Sequence, residues 1–226
     1  MAEASTDDLT APTETITATP GSLAWIVRRA LTNPGHLLMI ARGLLRGYWC
    51  RAYHRARGVR FSTGRHFRVY ARLKIQGPGE VRFGDHVRVI DAARFWTHGP
   101  DAQVIVGDHV VIGAVDLGCA QKITVGRDSI LARCTIMDTD FHSTRADRWD
   151  PRAPVRVAPV EIGDNVWVAG SVGILPGTKI GTNSVVSFGA VCMREYPENV
   201  IIMGNPAKVA APIPPTPPTR ASAPPL

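Results

Sequence analysis

The run DTDFHS at 138–143 gathers the residue types best suited to proton transfer in this chain. Asp138, Asp140 and His142 are spaced by two, so on an extended backbone their side chains project to one side. An unperturbed imidazole titrates near ~6.5 and can take a proton from a hydroxyl while that oxygen bonds to carbon. A carboxylate on one ring nitrogen would fix the tautomer and leave the other nitrogen open to accept. Asp140 is the first choice for that carboxylate and Asp138 the second, and either can instead cap a turn.

The remaining reactive types are dispersed. Cys50, Cys119, Cys134 and Cys192 form neither a CxxC pair nor a Cys/His cluster of zinc-like spacing, so no metal is expected. No cysteine accompanies His142 in a nucleophile motif, which disfavours a covalent intermediate, and the scattered thiols suit a reduced cytoplasmic compartment. His86 and His109 both stand in a GDHV hexad and read as structural. His98, in RFWTHGP, is a second candidate for the cleft. His36, His54 and His66 lie in a basic segment and read as surface or interfacial.

What must position these residues is a repeat. Aligned on Ile162, the chain reads IGDNVW, VAGSVG, ILPGTK, IGTNSV and VSFGAV, with Ile162, Val168, Ile174, Ile180 and Val186 at a constant interval of six. The fifth places are Val166, Val172, Thr178, Ser184 and Ala190, always small or β-branched. FGDHVR at 83, VGDHVV at 106, VGRDSI at 125 and LARCTI at 131 follow the same rule. A period of six fits neither a helix nor a two-faced strand, but it suits a triangular coil with one short strand and one turn per side. The opening aliphatic points inward, the small residue packs beside it, and Gly, Asp or Asn turns the corner with positive φ. The rhythm lapses from Asp138 to about Val160, so HSTRADRWDPRAPVRVAP leaves the coil as an excursion loop, 142–159, able to wall a cleft.

Around this domain, 59–210, the composition changes. Residues 1–20 are polar and acidic, 211–226 are dominated by proline, and both read as disordered tails. Residues 21–58 read as two helices broken at Pro34-Gly35, the second with Leu37, Ile40, Ala41, Leu44, Leu45 and Tyr48 at helical spacing. The net charge of +7 is concentrated in residues 21–79, which hold twelve Lys or Arg and no acid. Arg28, Arg29, Arg42, Arg46, Arg51, Arg55 and Arg57 could hold the protein peripherally at an anionic membrane surface, or could be solvated charges on a helix packed against the coil. Nucleic acid is not expected, because aromatic stacking groups are not interleaved with these charges. Neither a secretory leader nor a membrane-spanning stretch is evident in the sequence.

DTDFHS at 138–143, VEIGDNVWVAGSVGILPGTKIG at 160–181 and GNPAKV at 204–209 together resemble the hexapeptide-repeat acyltransferases, in the branch of sugar and polysaccharide O-acetyltransferases related to galactoside and maltose acetyltransferases. The resemblance spans roughly 75–210. It implies a mainly β fold, a left-handed parallel β-helix of hexapeptide repeats with an N-terminal helical segment, and a homotrimer with active sites in clefts between subunits. It further implies acetyl-CoA or another acyl-CoA as co-substrate and a sugar or polysaccharide hydroxyl as acceptor, with His142 as catalytic base. Residues matching the family's acyl-CoA contacts are Trp167, Gly170, Phe188, Met193, Arg194 and Lys208. Phe188 and Met193 depart from the Ala and Thr common in relatives, which leaves longer acyl groups open. Where relatives often show an acceptor-binding Asn near 113, this chain has Gly113 to Asp116, and Asp116 is the candidate to grip the acceptor.

Three other functions stay open at this level: the same chemistry on an amine, an amino-acid hydroxyl or an antibiotic; a zinc carbonic anhydrase on the same coil, against which stands the lack of a closely spaced histidine pair; and a non-catalytic trimeric spacer.

Overall fold

The computed structural model describes residues 34–214. The acidic N-terminal tail, the first of the two expected helices and nearly all of the Pro-rich tail lie outside the described residues.

Among the described residues one helix, α1 (Pro34–Ala56), precedes the coil. Pro34 is its first residue, the position where a missing N–H costs nothing. The helix seats on the coil through Gly43, Gly47 and His54, not through its leucines and tyrosines. The reason is closeness. A methyl group on Gly43 would run into the Tyr70 ring and one on Gly47 into the Phe67 carbonyl. Arg46 adds hydrogen bonds to the carbonyls of Tyr70 (2.8 Å) and Ala71 (3.3 Å) at the open end of the first coil.

From Phe61 onward the chain winds into a three-sided parallel β-helix. Seven strands form face A, running from Phe61–Thr63 to Glu195–Tyr196. Six form face C, from Leu73–Gln76 to Val191–Cys192. Face B has eight, beginning at Arg68–Val69 and closed by the antiparallel pair Val200–Gly204 and Ala207–Pro212. Ala211 and Pro212 are therefore paired in the sheet, so the folded body runs slightly past 210.

The hexad rule explains the core. Ile162, Val168, Ile174, Ile180 and Val186 are buried, as are Val166, Val172, Thr178, Ser184 and Ala190 beside them. The two small polar members are satisfied internally: the Thr178 hydroxyl donates to the Cys192 carbonyl (3.0 Å), and Ser184 Oγ accepts from the Val200 N–H (3.3 Å). Nearer α1, Phe61, Phe67, Phe83 and Phe95 fill the coil with edge-on ring contacts.

The three outer surfaces differ in chemistry. Face A presents Arg82, Ile105, Thr124, Glu161, Lys179 and Glu195 in register. Face B presents an apolar column, Val111, Ile130, Trp167, Val185 and Ile201. Face C presents Lys74, Arg94, Asp116, Thr135, Gly173 and Val191.

Candidate functional site

The winding departs furthest from its period at one place. After the strand Cys134–Met137 the chain leaves face C at Asp138 and re-enters face A at Val160. The base of this excursion is tied by a bridge between Thr139 and Val157, by the Asp140 N–H to the Arg156 carbonyl (3.1 Å) and by the Ala158 N–H to the Asp138 carbonyl (2.9 Å). Its return strand is fixed to the next coil where Arg156 donates to the Pro176 carbonyl (2.7 Å).

The expected alternation of Asp138, Asp140 and His142 on one side does not hold. Phe141 sits at φ 59° and the His142 N–H folds back to the Asp140 carbonyl at 2.7 Å, a tight turn in place of extended backbone. Asp138 consequently points into the protein and is fully buried, whereas His142 is exposed. The Asp138 carboxylate accepts hydrogen bonds from the N–H groups of Ala120 (2.6 Å), Gln121 (2.8 Å) and Lys122 (2.7 Å), and a weaker one from Cys119 Sγ (3.3 Å). Asp138 thus caps the corner of the preceding coil. Asp140 is half-buried, and no side-chain hydrogen bond joins it to His142 among the described residues.

The turn's aromatic residue anchors it. The Phe141 ring lies 5.1 Å from His98 and 6.0 Å from Trp96, above Gly118, where any side chain would collide with both Phe141 and Trp96. His98 is therefore brought to the same edge as the DTDFHS turn, and Gly118 is a seat for that turn that sequence reading missed.

The residues matched to acyl-CoA contacts fall on different edges of the prism. Trp167 is half-exposed on face B, and Phe188 lies against Gly170 where face B turns into face C. Lys208 also lies on face B, in the closing hairpin. Met193 and Arg194 sit where face C turns into face A, the edge that carries His142. One chain alone does not unite the two groups.

Asp116 lines a shallow groove of about 770 Å³ on face C, where it pairs with Arg94 at 2.8 Å. Arg72, Lys74 and Arg133 line the same groove, making it strongly cationic around one carboxylate. Sequence reading missed this set, because those cations come together only when successive coils are placed in register.

No thiol is poised for attack. Burial pushes Cys134, on the groove wall, up to about 12 and Cys50 and Cys192 up to about 11. Cys119 is raised further by burial and the Asp138 carboxylate. Among the described residues no cluster of three or more His, Cys, Asp or Glu could hold a metal ion.

A family model described as bacterial transferase hexapeptide (six repeats) matches residues 159–194. Over 161 residues, 67% of this chain and 68% of the relative, the sequence is 30% identical to WbbJ of Escherichia coli K12, provisionally named a lipopolysaccharide biosynthesis O-acetyl transferase. It is 59% identical over 51 residues to YJL218W of Saccharomyces cerevisiae, provisionally named an acetyltransferase, a match spanning only 23% of this chain and 26% of that protein. Among solved structures, AntD from Bacillus cereus, an N-acyltransferase in complex with dTDP and 3-hydroxybutyryl-CoA, superposes with a TM-score of 0.59 at 17% identity, over 72% of this chain and 88% of that one. That last likeness is one of fold.

Proposed function

The chain belongs to the hexapeptide-repeat acyltransferases, and on that premise we propose that it transfers an acyl group, acetyl first, from acyl-CoA to a hydroxyl of a sugar or polysaccharide. The observation that carries this reading is the break in the coil: the longest departure from the winding between Phe61 and Val200 holds an exposed imidazole at the mouth of an excursion loop. The naming of WbbJ for lipopolysaccharide O-acetyl transfer supports a saccharide acceptor.

In this mechanism His142 takes the proton from the acceptor hydroxyl as its oxygen attacks the thioester carbonyl carbon. Backbone N–H groups stabilise the developing oxyanion. The C–S bond then breaks, and the departing CoA thiolate recovers the proton from the imidazolium. Asp140 orients the ring, since the Asp138 carboxylate is committed to three backbone N–H groups. Direct transfer fits thiols that burial keeps protonated.

The working unit is a homotrimer, in which Trp167, Gly170, Phe188 and Lys208 of one subunit face Met193, Arg194 and His142 of its neighbour across the acyl-CoA. The apolar column on face B supports a buried subunit contact. Asp116 and the surrounding guanidinium groups bind the acceptor in the face C groove. Light scattering at three chain masses checks the assembly. The function is tested by thiol release from acetyl-CoA and longer acyl-CoAs across a panel of sugars, polysaccharides and amines. Release with saccharides is expected, and release with amines alone would replace the proposed acceptor class.

A further inference from the structure

Helix α1 is apolar on two opposite sides, and only one of them is used. Its glycine side seats on the first coil. On the other side Leu38, Leu45, Trp49 and Tyr53, separated by seven, four and four residues, form one stripe with Tyr48 at its edge, and each is between 58 and 72% exposed. Arg42 stands within this stripe, four residues after Leu38 and three before Leu45, and Arg55 stands at its edge, both exposed, followed by Arg57, whose cation lies 5.5 Å from the Tyr53 ring centre. Arg46 and Arg51 do not belong to this surface. Arg46 donates to the Tyr70 and Ala71 carbonyls and Arg51 to the Thr63 hydroxyl, so the seven-arginine set expected from the sequence reduces to three among the described residues.

We propose that this outward side of α1 docks on an anionic lipid bilayer. A stripe of leucine, tyrosine and tryptophan joined by arginines whose long side chains can reach up to phosphates, with no carboxylate, suits a helix lying in the headgroup layer. With 23 residues, α1 offers a line of contact about 35 Å long, parallel to the surface. Insertion across the bilayer is a different matter: no described helix is long and apolar enough for it.

Charge disfavours two of the occupants. A second copy of α1 would set Arg42, Arg55 and Arg57 against their own kind. Residues 21–33, the adjoining stretch of sequence, add Arg28 and Arg29 and no acid. A surface of phosphate headgroups supplies the missing negative charge along the whole stripe.

The test is flotation of the full chain with vesicles of phosphatidylcholine alone and of phosphatidylcholine with phosphatidylglycerol. Binding to the anionic vesicles is expected, with a preference on the order of 100-fold from three arginines near the surface, weakening as salt rises. Leu45→Ser with Trp49→Ser should abolish flotation, and Arg42→Glu with Arg55→Glu should remove the anionic preference. All four positions are exposed, so melting temperature and acetyl-CoA turnover should stay at wild-type values. Absence of flotation would overturn the proposal, as would equal binding to both vesicle types. A larger particle for wild type than for the Leu45→Ser, Trp49→Ser variant by light scattering without lipid would instead assign the stripe to a second copy.

Discussion

Histidine occupies two corners of this prism in opposite ways. Where face A turns into face B, His66, His86 and His109 follow one another up successive coils, each with positive φ, and Asp128, Asn165, Asn183 and Asn199 continue the column. The rings of His66 and His86 stack at 4.6 Å and those of His86 and His109 lie at 5.0 Å, with His109 Nδ1 3.2 Å from the Asp128 carboxylate. Where face C turns into face A there is no column. His142 stands there at a turn that occurs once, exposed, with no side-chain hydrogen bond among the described residues. A repeat supplies each side chain with copies of itself as neighbours, whereas a break supplies a reactive group with room for something else.

The largest test of this contrast is kinetic. His142→Ala should lower kcat by a factor of about 100 to 10,000 while leaving the melting temperature unchanged. His109→Asn should leave turnover at the wild-type value, since Asn holds the same left-handed corner at 165, 183 and 199. Turnover that survives the first change and collapses with the second would invert the assignment.

The next separates the aspartates of the two corners. Asp138→Ala leaves three inward N–H groups without an acceptor and should destabilise the fold by about 3 to 5 kcal/mol in urea titrations. Asp164, in the regular column, takes the Arg127 N–H at 3.0 Å but is 44% exposed, and its replacement by Ala should cost about 1 kcal/mol or less. Equal losses would mean that the buried carboxylate is no more structural than the surface one.

A third concerns the seat of α1. His54 is 3% exposed, edge-on to Tyr53 and Phe61, and no hydrogen bond of good geometry reaches either ring nitrogen. Burial lowers its pKa, Arg57 adds to that, and a looser backbone interaction at Leu73 only partly opposes it. A histidine lowered in the folded state favours folding above its unfolded value of ~6.5, and that contribution is lost as pH falls below it. Wild type should therefore lose stability between pH 7 and 5, and His54→Phe should lose less, as followed by melting temperature. An unchanged slope would place the acid sensitivity elsewhere.

The coil from Ile162 to Val191 was legible because a hexad leaves one inward aliphatic at every turn and nothing interrupts the count. From Gly173 to Val191 the register advances by 18 residues, one clean triangle. Earlier coils are longer: Lys74 pairs with Arg94 and Arg94 with Asp116, steps of 20 and 22. Those extra corner residues hid the register and with it the cationic groove. The geometry of the DTDFHS run was not legible. Alternation along a strand was the reasonable expectation, and it failed because Phe141 takes a left-handed turn to seat its ring over Gly118. The glycine side of α1 escaped notice for a related reason, since hydrophobic periodicity marks the side that has apolar side chains and is blind to the side that needs none.

The smallest expected effect lies within the histidine column itself. His86 is flanked by His66 and His109, with Asp85 and Arg68 as the other charges acting on it. Burial lowers its pKa first, the two neighbouring imidazoles and Arg68 lower it further, and Asp85 opposes them. The sign is the same as for His54: the folded state resists protonation, so stability is held above ~6.5 and declines below it. His86→Asn keeps the corner conformation and removes the titrating group. At pH 8 its stability should lie within about 0.5 kcal/mol of wild type, and its decline between pH 7 and 5 should be shallower, measured by thermal melts at constant ionic strength. Parallel curves for the two proteins would show that the stacked rings tolerate charge as readily as isolated ones, and burial and like neighbours would then do nothing to the proton of His86.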